Sequence, residues 1–241
     1  MIRNMDIEKQ SAKAIQILMK ENTQANSMLI HELRNPLSLI KATLQYIEMK
    51  HPEAKEYKYW SQLFDLVQDM ENMLSEASLL NSCTTPNMKE NNLLTIIRDI
   101  VENYMPQAYN QEKSLLLKEA PECQSIISSY YCDCAKIRQV ISNLLKNALE
   151  ATNPGNSIEV IVSFNSGELR SMISIQINNN GQPIPKEDID TIFLPYVTQK
   201  KEGTGIGLPF AKRVIESHGG SIQVNSNEEL TSFTILLPLT S

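Results

Sequence analysis

The sequence predicts two architectures in tandem. A helical hairpin, pairing with a second copy as a four-helix bundle, is followed by an α/β sandwich with helices on one face of a mixed sheet. Three observations carry that prediction. All eight glycines lie from Gly155 onward, so the front is helical and the back is rich in turns. Two early stretches repeat apolar residues at alternating spacings of three and four, the signature of packed helices. Three later stretches alternate apolar and polar residues, as half-buried strands do.

Taken in order, the first helical seam is Ile30, Leu33, Leu37, Ile40, Leu44 and Ile47, and the second is Leu63, Leu66, Met70, Met73, Ala77 and Leu80. His51-Pro52 separates them: proline disfavours helix for its predecessor and suits the first turn of a new one, which places the hairpin at roughly residues 12–50 and 53–82. Two such seams are not fully covered within one hairpin, so the pattern predicts a homodimer. Ile15 and Leu18 allow the first helix to extend toward an upstream element. The segment around Cys83–Pro86 reads as a linker, giving domains 1–82 and 91–241 joined by 83–90. Beyond it, Leu93, Leu94, Ile97, Ile100 and Val101 predict a helix to about Ala108, and a short strand is expected around Ser125–Tyr130. Ile137, Val140, Ile141, Leu144, Leu145 and Ala148 form a broad helical stripe ending before Asn153-Pro154-Gly155. Strands follow at Ile158–Phe164, Ile173–Ile177 and Phe233–Leu237, with a helix at Ile206–Ser217 stopped by His218-Gly219-Gly220. His51 and His218, both at helix ends, read as structural.

Composition bounds the function. The 241 residues are 41% hydrophobic and 21% charged, enough for a core and too apolar for a disordered chain. A formal charge of −6 argues against nucleic acid as a partner, since such binding uses a basic surface. No apolar run approaches the ~18 residues of a membrane span, and MIRNMDIEKQ lacks the apolar centre of a signal peptide. The four cysteines have neither zinc nor C-x-x-C spacing and read as free thiols in a reducing cytoplasm.

Three clusters carry chemistry. In His31-Glu32-Leu33-Arg34-Asn35-Pro36, His31 sits one residue off the seam with its imidazole toward solvent, and Glu32 is placed to polarise it. Pro36 falls inside the helical pattern, where it removes the hydrogen bond to the Glu32 carbonyl. Asn143 and Asn147 are four apart and share a helix face, where amide oxygens suit a hydrated Mg2+ and a polyphosphate. Gly203-Thr204-Gly205-Ile206-Gly207-Leu208 directly precedes a helix, so its backbone N–H groups suit an anion, with Lys200 and Lys201 adding positive charge upstream.

Together these motifs resemble the sensor histidine kinases of two-component systems, in the family's order from about residue 25 to the C-terminus. HELRNPL looks like the H-box and DCAKIRQVISNLLKNALEAT like the N-box. NNNGQPIP is similar to the G1 box, and IFLPYVTQKKEGTGIGLPFAKRVIESHGG to the F-box and G2 box, with Phe193, Pro195 and Tyr196 in the lid. The H-box and the NALEA form of the N-box have a sporulation-kinase flavour. The resemblance implies a dimerisation and phosphotransfer hairpin followed by an ATP-binding sandwich of the gyrase/Hsp90/kinase (GHKL, or Bergerat) type. It implies His31 as phosphoacceptor, Glu32 as its polarising partner, Asn35 as a water-positioning residue for dephosphorylation, and Asn143 as assisting phosphate chemistry. Mg2+ would be held at Asn147. ATP would be held by Asn143, Lys146, Asn147, Asn179, Gly181, Thr198, Lys200, Gly203, Thr204, Gly205, Ile206, Gly207 and Leu208. The implied partner is the receiver domain of a response regulator.

Two positions depart from the family pattern. Asn179 stands where the G1 box has an aspartate that accepts from the adenine amino group, and Pro183 replaces a glycine. A neutral amide forgoes charge assistance, so weaker ATP binding by about tenfold is expected. These departures motivate a second reading, a kinase-inactive phosphotransfer, phosphatase or scaffold protein that retains the fold.

Overall fold

The computed structural model describes residues 2–82, 86–166, 171–198 and 205–239. It divides into two compact units, Met1–Ser82 and Cys83–Ser241.

The first unit is a hairpin of α1 (Ile2–Lys50) and α2 (Trp60–Ser82), joined through a 3-10 turn at Pro52–Glu56. α2 starts at Trp60 rather than at residue 53, because the chain after Pro52 winds as a tight turn and then extends at Tyr57 (φ −72°, ψ 131°). Glu48 fastens the corner by pairing with Lys55 at 2.8 Å and accepting the Trp60 indole N–H at 3.2 Å. Those contacts, the Lys55 hydrogen bond first, hold its carboxyl below the usual carboxylate range. Within α1, Ile30 and Leu37 are buried while Leu33 and Ile40 are exposed. Most of the seam named for α2 faces outward: Leu63, Leu66, Met70 and Met73 are exposed, while Ala77 is half-buried. The row turned to α1 is Trp60, Phe64, Val67, Glu71 and Leu74, in which Glu71 takes its place by pairing with Lys41 at 2.6 Å. A charged residue interrupting the inner row is what makes it unreadable as a seam. The side chain of Leu80 lies outside the described residues.

The second unit runs β1 (Lys89–Asn91), α3 (Leu93–Asn110), β2 (Ser114–Glu119), α4 (Cys123–Ile126), β3 (Tyr130–Cys132), α5 (Cys134–Ala151), β4 (Ser157–Ser166), β5 (Ser171–Asn179), α6 (Gly207–Ser217), β6 (Ser221–Ser226) and β7 (Thr231–Pro238). Five strands form one sheet in the order β2-β4-β5-β7-β6, with β2 parallel to β4 and every other pair antiparallel. The register aligns Val160 with Ile177 and Ile177 with Phe233, so β-branched and aromatic side chains stack across strands on one face. That face (Ile158, Val160, Ile173, Ile175, Ile235, Leu237) is buried, as are Ile97 and Val101 of α3, Leu144 and Leu145 of α5, and Phe210 and Val214 of α6. This is the expected α/β sandwich.

Two details differ from expectation. The segment expected as a strand at 125–130 is a single helical turn, α4, and the strand begins only at Tyr130. Burial of Cys123, whose thiol reaches the Val162 carbonyl, and the bond from Ile127 N to Cys123 O wind this stretch despite its paired isoleucines. The thiols of Cys123, Cys132 and Cys134 are free, while Cys83 and the linker residues 84 and 85 lie outside the described residues. The linker's last two positions, Lys89 and Glu90, belong to β1, which pairs antiparallel with β3.

Candidate functional site

On α1, His31, Glu32 and Asn35 are all exposed, flanked by buried Ile30 and Leu37. His31 and Asn35 are four apart and share a helix face. The helix runs through Pro36 without a break, so the Glu32 carbonyl loses its ladder donor one turn below His31.

In the second unit α5 is seated by Asp133, its N-cap. One carboxylate oxygen accepts from Lys136 N at 3.2 Å and the other from Asn87 N at 2.8 Å. Burial opposes the charge, but these N–H donors and the Lys136 ammonium outweigh it and hold the carboxyl below its ordinary value. The Asp133 N–H donates to His218 Nε2 at 3.0 Å, and His218 Nδ1 lies 2.7 Å from the Val214 carbonyl. This pattern requires the neutral ring with its proton on Nδ1, and burial lowers the His218 pKa in agreement. The histidine therefore ties the end of α6 to the start of α5.

Asn143 and Asn147 lie half-buried on α5, and Asn143 Nδ2 reaches the Gly207 carbonyl at 3.4 Å. The amide face thus meets the N-terminus of α6. That terminus has no side-chain cap and no acidic residue in its first turn. Ile206 buries its side chain in the core, and Pro209 brings no N–H, so Gly207 and Leu208 are the first-turn residues with N–H groups to offer an anion. Gly205 needs its positive φ of +67°, and a Cβ there would fall 2.7 Å from both Val197 N and Val197 O. Its carbonyl accepts from Tyr196 N at 3.0 Å, which pins the segment before α6 to the residues of the F-box.

Asn179 ends β5 and is 2% exposed, and its Nδ2 has no hydrogen-bond partner. The turn after it is anchored twice. Gln182 N donates to Ala151 O at 2.7 Å at the end of α5, and Ile184 N donates to Ser226 Oγ at 2.9 Å. Ser226 in turn bonds Thr231, the cross-strand neighbour of Asn179, at 2.6 Å. Gly181 is enforced by this docking, since a Cβ there would sit 2.1 Å from Ala151 O.

The structure therefore brings Asn143, Asn147, Gly207 and Leu208 together, with Asn179 and Gly181 beside the end of the same α5. Lys146 stands apart: it is 68% exposed, lies 3.8 Å from Glu150, and lines a shallow groove with Gln107, Gln111 and Lys113 at the end of α3. Thr198 is exposed, while Lys200, Gly203 and Thr204 lie outside the described residues. Amide oxygens, two helix-end N–H groups and a buried unpaired amide are a donor set that fits a nucleotide triphosphate with an oxygen-coordinated cation. Sequence reasoning did not find the Asp133–His218 lock, although an aspartate three residues before Lys136 at a helix start was a readable cap signal.

The family profile described as histidine kinase-, DNA gyrase B-, and HSP90-like ATPase matches residues 132–241. Sporulation kinase D of Bacillus subtilis is 32% identical over 215 residues, which cover 88% of this chain and 40% of that protein. Sensor histidine kinase ZraS of Escherichia coli K12 is 31% identical over 214 residues, covering 87% of this chain and 44% of the relative. The chain thus spans less than half the length of these relatives. Among solved structures, the nucleotide-free catalytic domain of histidine kinase ThkA superposes with a TM-score of 0.56 at 28% identity, covering 64% of this chain and 99% of that one. No helix among the described residues is long and apolar enough to cross a membrane.

Proposed function

Since this chain belongs to the sensor histidine kinases, with their ATPase domain in residues 132–241, we propose that it uses ATP to phosphorylate its own His31 and passes the phosphoryl group to an aspartate of a response regulator receiver domain. The observation that carries this is the junction of the α5 amide face with the uncapped start of α6, joined through Asn143 and Gly207. That junction offers N–H donors and amide oxygens at one place, which is what a transferring phosphoryl group requires.

In this reading the neutral ring of His31 attacks the γ-phosphorus through a nitrogen lone pair. The N–P bond forms as the bond from the γ-phosphorus to the β,γ-bridging oxygen breaks, and ADP departs with those electrons. The other ring nitrogen keeps its proton, and Glu32 stabilises the positive charge that builds there. The exposure of His31, Glu32 and Asn35 on α1 supports access for both the incoming phosphate and a receiver domain. Asn35, on the face of His31, positions the water that dephosphorylates the regulator. Gly207 and Leu208 donate backbone N–H groups to phosphate oxygens, together with Gly203, Thr204 and Gly205. Lys200 and Thr198 complete the ATP set, with Asn179 and Gly181 at its base, while Lys146, turned toward Glu150 and the end of α3, is left out of it. Bound through Asn147, Mg2+ supplies neutralisation of triphosphate charge. Residues 1–82 serve as the dimerisation and phosphotransfer domain, 83–90 as linker and 91–241 as the catalytic domain. The exposed row Leu33, Ile40, Leu63, Leu66, Met70 and Met73 supports a homodimeric four-helix bundle. Cytoplasmic action with an upstream sensor or regulator completes the proposal.

A second reading, a kinase-inactive phosphotransfer or phosphatase protein, is favoured by Asn179 and by Pro183 in the turn after it. Incubation with γ-labelled ATP and Mg2+, wild type beside His31→Gln, separates the two. Acid-labile, alkali-stable label on wild type alone is the expected result. No label on a folded wild-type protein would leave the second reading in place.

A further inference from the structure

We propose that the site does not select adenine, and that the chain accepts nucleotides with a 6-keto purine as readily as ATP. The inference rests on the reading of Asn179 as the base-contacting residue. A carboxylate at this position offers only acceptors, so it welcomes the 6-amino group of adenine and repels the 6-carbonyl of guanine or hypoxanthine. An amide offers both. Its oxygen accepts from the 6-amino group while its nitrogen donates to N1 of adenine. Turned over, the nitrogen donates to a 6-carbonyl while the oxygen accepts from N1–H.

The structure supplies what this exchange starts from, an amide nitrogen that no acceptor among the described residues holds. Asn179 is buried to 2% exposure, yet its Nδ2 has no acceptor among the described residues. The polar groups of the turn and of the facing strand are engaged elsewhere: Thr231 with Ser226, Ser226 with Ile184 N, and Gln182 N with Ala151 O; the buried Oδ1 of the adjacent Asn178 is also unpaired and does not reach Asn179 Nδ2. None of them holds Nδ2, so no bond to that nitrogen opposes rotation of the side chain by half a turn. A buried donor left unpaired is costly, and an acceptor on the base relieves that cost whichever purine brings it. Discrimination by a hydrogen-bonding site comes from leaving one of its groups unpaired with the wrong ligand. Here neither purine does so.

The test is calorimetric titration of the full chain with ATP and with ITP, whose base differs from adenine at the 6-position without the added 2-amino group, for wild type and Asn179→Asp. Wild type is expected to bind the two within about tenfold of each other. Asn179→Asp is expected to restore a preference for ATP of about a hundredfold, the scale of losing one charge-assisted bond and gaining a repulsion. A wild-type preference for ATP above about a hundredfold would overturn the inference while leaving the ATP site intact. Failure of Asn179→Asp to change the ATP-to-ITP ratio would also overturn it, because another group would then be reading the base. If neither protein binds either nucleotide while its circular dichroism is native, the reading of the site itself fails and takes this inference with it.

Discussion

Replacing Gly181 with alanine tests whether the turn after β5 is built by contact with α5. An ideal Cβ at Gly181 lies 2.1 Å from Ala151 O, 2.6 Å from Ala151 C and 2.9 Å from Thr152 Cα. A methyl carbon and an oxygen need about 3.2 Å, so the overlap is about 1 Å, and every obstructing atom is backbone in the last turn of a helix. Moving the turn by that distance carries Gln182 N beyond reach of Ala151 O, now 2.7 Å away. The lost hydrogen bond is worth about 1 kcal/mol net, and the overpacking adds about 1–3 kcal/mol. Gly181→Ala should therefore destabilise the second unit by about 2–4 kcal/mol, read as a lowered urea midpoint by far-UV circular dichroism. Gly207→Ala is the contrasting change. Its Cβ meets Asn143 Nδ2 at 3.6 Å, an ordinary contact, and removing a glycine from the first turn of α6 favours the helix slightly. It should leave stability within about 1 kcal/mol of wild type yet weaken nucleotide binding, because the methyl enters the space between α6 and Asn143. An unfolding midpoint for Gly181→Ala equal to wild type would refute the argument, since nothing in the contact geometry permits it.

The His218 lock makes the second unit acid-sensitive. Its folded pKa is lowered from 6.5 by burial, so the unfolded chain takes up the proton first. Its stabilisation is fully present above pH 6.5 and is lost as pH falls from there toward the lower folded value. Urea midpoints measured between pH 7.5 and 5 should fall more steeply for wild type than for His218→Gln, and parallel slopes would count against the lock. On the hairpin, Leu66→Glu with Met70→Glu places charges on the outward row, which are 59% and 53% exposed in the single chain. Sedimentation should show the double variant as a monomer with its helix content retained, and an unchanged dimer would remove that row from the interface.

What the sequence disclosed depends on whether a single element or a neighbour decides the outcome. β4, β5 and β7 were readable because each alternates on its own, with one face against the helices. β2 was not, because Leu115, Leu116 and Leu117 run together at the edge of the sheet, where Leu116 points outward at 48% exposed. The α5 stripe was readable from its period. That Asn143 meets Gly207 was not, since nothing local to either residue states how α5 and α6 are placed. The requirement at Gly181 was equally hidden, because it comes from the Ala151 carbonyl and not from a left-handed backbone at the glycine itself.

The hairpin shows the same division more sharply. Its sequence holds two apolar rows on α2, one broken by Glu71 and one continuous, and the continuous row dominates any periodicity count. Within one chain the broken row is nevertheless the one packed on α1, because Lys41 neutralises Glu71 at the contact. The continuous row is left exposed at Leu63, Leu66, Met70 and Met73. An exposed apolar row cleaner than the intramolecular one is what the proposed dimer requires. The pattern that misplaces the inner packing thereby supports the proposed dimer, in which α2 would offer Leu63, Leu66, Met70 and Met73 to a second hairpin; α1 correspondingly turns Ile30 and Leu37 inward and Leu33 and Ile40 out.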